Sequence, residues 1–105
     1  MILNKKKLFV LGIVWMAIWG LSRCDSSENL TSGKDIYRVY CVNCHGADGS
    51  LSTNGAIDLT RSRLPMEGRI DIIKNGRVTM MGFDGVLTDA QIDSVASYSR
   101  KLLKE

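Results

Sequence analysis

Apolar and polar positions divide the chain into stretches of clearly different character. Leu8 to Leu21 carries no charge and contains Phe9, Val10, Leu11, Ile13, Val14, Trp15, Met16, Ile18 and Trp19, directly after a basic start at Lys5, Lys6 and Lys7. A basic start followed by a short apolar core is the layout of a secretory signal. The run falls short of the roughly 20 apolar residues that a comfortable membrane span needs. Residues 1–23 are therefore read as an export signal, with a permanent N-terminal membrane anchor as the alternative. Asp25 to Ser32 is almost wholly polar, which makes residues 24–32 a short tether ahead of a domain over 33–105.

Helical spacing dominates the remainder. Ser32 or Thr31 can cap a helix from about Lys34 to Cys44, with Ile36, Val39 and Tyr40 on one stripe and Tyr37 beside it. Pro65 can start a second helix with Met66, Ile70 and Ile73 on one face, and Asn75-Gly76 ends it. Thr88 with Gln91 forms a capping box, and Ile92, Val95, Ala96, Ser99, Leu102 and Leu103 follow at helical spacing. No segment sustains a strand-like alternation, so the expected class is all-α. The stretch from Gly46 to Leu64 is rich in Gly, Ser, Thr, Asn and Asp, with Leu51, Ile57 and Leu59 as its apolar contacts. A loop of that length inside a compact domain asks for something to wrap around.

Composition narrows the choices. The 105 residues suit one small domain, and a net charge of +3, scattered along the chain, does not argue for nucleic-acid binding. Removal of residues 1–23 would take Lys5, Lys6, Lys7 and Arg23 and no acids, leaving ten basic groups against eleven acidic ones. The mild basicity belongs to the leader, and docking of the domain should depend only modestly on salt. A domain this short usually needs a disulfide, metal or large cofactor to reach a few kcal/mol of stability.

Cys41-Val42-Asn43-Cys44-His45 supplies the chemistry for such a staple. The C-x-x-C-H run is the attachment signature of c-type haem. Two Cys three positions apart on a helical turn share a side and can form thioethers with the two vinyl groups. The adjacent His can then reach the iron through Nε2, with Nδ1 bonded to a carbonyl. Structural zinc is one alternative, but it needs four ligands, and beyond these the chain offers only Cys24, at the membrane end. A thioredoxin-like pair is another, and it would open a long helix in a βαβ context rather than close a helical pattern before Gly46. Chance occurrence is the third.

From Gly33 to the C-terminus the sequence resembles the small bacterial class I c-type cytochromes. That resemblance implies a compact cytochrome c fold of three to four helices and long loops around one covalently bound haem c. Gly33 and Tyr37 match the family's Gly and aromatic on the first helix, and Tyr98 the aromatic of the last helix that meets them. The family's distal motif reads Met-Pro-x-aromatic. Aligning Phe83 with the aromatic in Thr79-Met80-Met81-Gly82-Phe83 makes Met80 the distal iron ligand, opposite His45, and puts Met81 where the Pro stands. Met81 is the alternative ligand. The family's Pro after the attachment motif, whose carbonyl accepts the proximal hydrogen bond, is replaced by Ile57, which has a carbonyl of its own.

Leu21-Ser22-Arg23-Cys24 is similar to the lipobox of bacterial lipoproteins, with Arg23 where that family has Gly, Ala or Ser. It implies lipidation of Cys24; the alternative is an ordinary Cys beyond an uncleaved anchor. Either reading tethers the domain to a bacterial membrane on its periplasmic side. The resemblance implies single-electron transfer between redox partners, a quinol-oxidising complex on one side and a terminal oxidase or dehydrogenase on the other. The other reading is a haem subunit bound permanently in a larger complex. No catalytic residues are expected: the only His is taken by iron, and no paired carboxylates stand near either ligand.

Overall fold

The computed structural model describes residues 29–105. The export-signal or anchor reading of 1–23, most of the tether and Cys24 lie outside the described residues. Among the described residues four helices follow one another: α1 Gly33–Tyr40, α2 Val42–His45, α3 Met66–Asn75 and α4 Asp89–Lys101, with a short 3₁₀ turn at Thr53–Gly55. Among the described residues there is no strand, only isolated bridges at Arg77–Met80 and Asp84–Leu87. None of the described helices is long and apolar enough to cross a membrane.

The core forms where α4 crosses α1 and α3. Ile36 and Tyr37 from α1, Ile73 from α3, and Ile92, Val95 and Ala96 from α4 are buried together with Phe83 and Leu87. Gly33 makes the α1–α4 crossing possible, because a Cβ there would run into the Ser94 carbonyl and stand 3.0 Å from Tyr98 Cβ. At 100° per residue Gly33 lies midway between Ile36, Tyr37 and Tyr40 on the helix wheel, so α4 settles on that face. Val39 lies off it and is 56% exposed, contrary to the predicted stripe. The Tyr37 and Tyr98 rings pack at 5.2 Å between centroids beside the crossing.

The capping box at α4 is present in full: Gln91 N donates to Thr88 Oγ1 at 3.2 Å and Thr88 N to Gln91 Oε1 at 2.9 Å. Ser32 occupies the N-cap of α1 without a side-chain cap hydrogen bond; its carbonyl instead accepts from Ile36 N at 3.0 Å. Leu102 and Leu103, predicted on the last helix, lie just past its end, with Leu102 still packed against the core.

One predicted helix is two. The Lys34–Cys44 pattern breaks at Cys41, whose backbone (φ −115°, ψ −28°) separates α1 from α2. In a straight helix Gly46 would stand about 13 Å along the axis from Tyr37, beyond reach of a tyrosine side chain. The kink folds it back, and the Tyr37 hydroxyl donates to the Gly46 carbonyl at 2.6 Å.

The long loop after α2 is anchored at its base. Leu59 N donates to Gly49 O at 2.8 Å, and Lys104 N to Thr60 O at 2.9 Å. Asp48 accepts from Ser50, and Asp58 from Thr60, each in a local turn that keeps the carboxyl below its usual range. Gly49 is needed at the base, since its φ is +86° and a Cβ would press on Leu59 and Leu102.

Candidate functional site

The kink at Cys41 puts Cys41, Cys44 and His45 on one short turn. Cys41 is half-buried and Cys44 exposed, both as free thiols. Burial, with the charge of Cys44 adding, pushes the Cys41 thiol up to about 12. Among the described residues no three His, Cys, Asp or Glu side chains converge closely enough to hold a metal ion between them.

His45 is buried at the end of α2, and its surroundings fix it from several sides. Its Nδ1 lies 3.0 Å from the Ile57 carbonyl, which assigns the proton to Nδ1 and leaves the Nε2 lone pair free. Nε2 has no protein partner among the described residues. The His45 carbonyl accepts from Leu51 N at 2.9 Å, and the next carbonyl, Gly46, takes the Tyr37 hydroxyl. Burial pushes that hydroxyl up to about 12, with Cys41 contributing next. A tautomer-fixed imidazole with an open Nε2, one residue from a pair of thiols, suits a haem held by thioethers and ligated by nitrogen.

The methionine segment leaves α3 through Gly76. Arg77 N donates to Met80 O and Met80 N to Arg77 O, both at 2.9 Å, closing a tight turn with Val78 at φ +55°. Beyond it the chain runs back along the end of α3: Phe83 N donates to Ile73 O at 2.8 Å and Asp84 N to Lys74 O at 3.0 Å. Gly76 and Gly82 permit this close return. A Cβ on Gly76 would stand 2.6 Å from Met80 O, and one on Gly82 2.6 Å from Lys74 O. Phe83 is buried and meets the Tyr40 ring edge-on at 5.7 Å. The return separates the two methionines: Met80 is half-buried and packed against the core, whereas Met81 is 63% exposed.

Two features lie beyond what the sequence pattern predicts. Arg69 is only 4% exposed, and it donates from Nε to Leu64 O at 3.0 Å, from Nη1 to Ser99 Oγ at 3.2 Å and from Nη2 to Ser62 O at 2.6 Å. Burial lowers its pKa, with Arg100 adding. It joins the end of the long loop to α4, and the signal for it was a lone charge on the apolar face of Met66, Ile70 and Ile73. The second is a hydrogen bond between loops, from Thr79 Oγ1 to Asn54 O at 3.0 Å, which no local pattern encodes.

Comparison with known proteins places this arrangement. Residues 28–98 match the family described as cytochrome C oxidase, cbb3-type, subunit III. The chain is 34% identical over 73 residues to cytochrome c6 of Leptolyngbya boryana, covering 64% of this chain and 85% of that protein. It is 30% identical over 73 residues to cytochrome c6 of Rippkaea orientalis, covering 64% and 65% respectively. Among solved structures it is similar to the KustC0563 c-type cytochrome, with a TM-score of 0.64 and 26% identity over 70% of this chain and 99% of that one.

Proposed function

The chain belongs to the cytochrome c family, and from that premise we propose a monohaem electron carrier in which Cys41 and Cys44 hold haem c, His45 and Met80 ligate its iron, and the N-terminus tethers the domain outside the cytoplasm. Family membership makes the chain a haem-based electron carrier with redox proteins as partners. Bound haem supplies an iron that exchanges one electron between its ferrous and ferric states. The observation that carries the residue assignment is the 3.0 Å approach of His45 Nδ1 to Ile57 O.

Each residue contributes a separate task. Ile57 sets the tautomer and ring orientation of His45, so Nε2 is presented as a neutral donor. Tyr37 holds the end of α2 over α1 and keeps that turn in place. Met80 offers a thioether, which favours ferrous iron and raises the reduction potential, and its half-buried position favours it over the exposed Met81. With His45 and Met80 both holding the iron, the bound haem would exchange electrons without offering a substrate site.

Protein produced with the haem-maturation machinery tests the assignment. A sharp α band on reduction and a weak far-red thioether-to-iron band on oxidation are expected. Absence of the first overturns the cofactor attachment, and absence of the second overturns Met80. The tether rests on the basic-apolar leader and the lipobox-like Leu21-Ser22-Arg23-Cys24. Intact-mass measurement of membrane-extracted protein should find a lipidated chain starting at Cys24, and a chain still carrying Met1 would exclude lipoprotein processing.

A second reading, a haem subunit held permanently in a larger complex, is favoured by one observation: the matched family is described by an oxidase subunit. Native purification separates the two readings. Co-elution with a stoichiometric partner would replace a mobile carrier reaching a quinol-oxidising complex and a terminal oxidase with a fixed subunit.

A further inference from the structure

We propose that the Thr79–Asn54 hydrogen bond is a clasp that couples the proximal and distal ligand loops and holds Met80 in place, a restraint the chain needs because Met81 stands where the family's distal motif has Pro. The inference rests on the Met80 and His45 assignments above. Asn54 lies three residues before Ile57, whose carbonyl faces His45, and Thr79 immediately precedes Met80. One hydrogen bond of 3.0 Å thus joins the segment that orients the imidazole to the segment that carries the thioether.

Backbone geometry marks both ends of the clasp. Asn54 (φ 54°) and Val78 (φ 55°) are the non-glycine residues of positive φ among the described residues. A β-branched residue in the left-handed region stays there only where its surroundings hold it. Val78 is 97% exposed, so packing of its own side chain does not supply that restraint. The reciprocal Arg77–Met80 bonds and the neighbouring Thr79 do. On the other side, Ala56 N takes the Thr53 carbonyl, so the Asn54 carbonyl is not used by its own turn and is turned to the hydroxyl across the gap.

Thr79 and Asn54 are positioning residues in this scheme, acting on the iron only through Met80. Opening of the Met80 loop can be read with imidazole, which binds ferric iron when the thioether leaves. In Thr79→Val holoprotein, the far-red band should weaken and imidazole should bind about 2- to 10-fold more tightly, the range that one net hydrogen bond supports. Thr79→Ser, which keeps the hydroxyl, should stay near wild type. Asn54→Ala disfavours the left-handed turn from the proximal side and should shift imidazole binding in the same direction, and the double variant should be non-additive. Unchanged imidazole affinity in Thr79→Val, or equal behaviour of the Ser and Val variants, would overturn the clasp. If Thr79→Val does not mature, Asn54→Ala alone decides by the same measure. A wild-type protein without the far-red band would instead overturn the Met80 assignment, and the clasp with it.

Discussion

The Nδ1 of His45 faces the backbone carbonyl of Ile57 at 3.0 Å, across a loop anchored by the Leu59–Gly49 and Lys104–Thr60 hydrogen bonds. A carbonyl is common to every residue, so the side chain at position 57 is free to differ from the family's Pro. Ile57→Pro should therefore keep the spectrum of the holoprotein. Ala56, at φ −58° and ψ 137°, already has the extended backbone that a following proline requires. Stability in chemical denaturation is expected to rise by about 0.4–1 kcal/mol through the stiffer unfolded chain.

Met80 and Met81 should behave oppositely although they are adjacent. Met80→Ala is expected to abolish the far-red band and admit carbon monoxide to the reduced protein. Met81→Ala, at an exposed position, should retain the band and exclude carbon monoxide. Absorbance spectra of both variants decide the assignment, and a reversed pattern would move the ligand to Met81.

Gly33→Ala should destabilise the fold, because the added Cβ meets the Ser94 carbonyl and Tyr98 at the helix crossing. Overpacking of this kind costs about 1–3 kcal/mol. Denaturant unfolding of the holoprotein measures it, and an unchanged midpoint would show that the crossing relaxes freely.

Tyr37 ties stability to alkaline pH. Its hydroxyl is raised from 10.0 to about 12, chiefly by burial, so folding favours the protonated form. The resulting stability is complete below the unfolded value of 10.0 and is lost as pH rises through about 12. Tyr37→Phe should lose about 1 kcal/mol near neutral pH with the bond to Gly46 and show a flatter decline across that alkaline window. Urea unfolding of both proteins at a series of pH values tests the sign.

Arg69 anchors the loop end with three donors that a lysine cannot reproduce. Arg69→Lys should remain well below wild type in stability, and Arg69→Met should cost about 1–3 kcal/mol because the Ser62 and Leu64 carbonyls lose their donor. Thermal unfolding of the two variants beside wild type provides the comparison.

The elements legible in advance were those written in local chemistry. Thr88 and Gln91 are in hydrogen-bond register by their spacing alone, and the box they form is present. Pro65 before Met66 and Gly76 after Asn75 bound α3 as their backbone preferences require. The predicted stripe includes Val39, which is exposed, because periodicity gives a stripe but not the partner that covers it. The pattern predicts one helix over Lys34–Cys44 because nothing local signals the break at Cys41, whereas the Tyr37–Gly46 bond that the break permits spans nine positions.

Spacing and residue type, taken alone, determined the C-x-x-C-H motif, the helical class, the ends of α3 and the start of α4, since these depend on groups within a few positions of one another. The fold decided what depends on distance in space: where Arg69 finds acceptors, and that Thr79 reaches Asn54. Those contacts depend on the packing of α1, α3 and α4, in which Gly33 allows the crossing and Gly76 and Gly82 allow the methionine segment to fold back on α3.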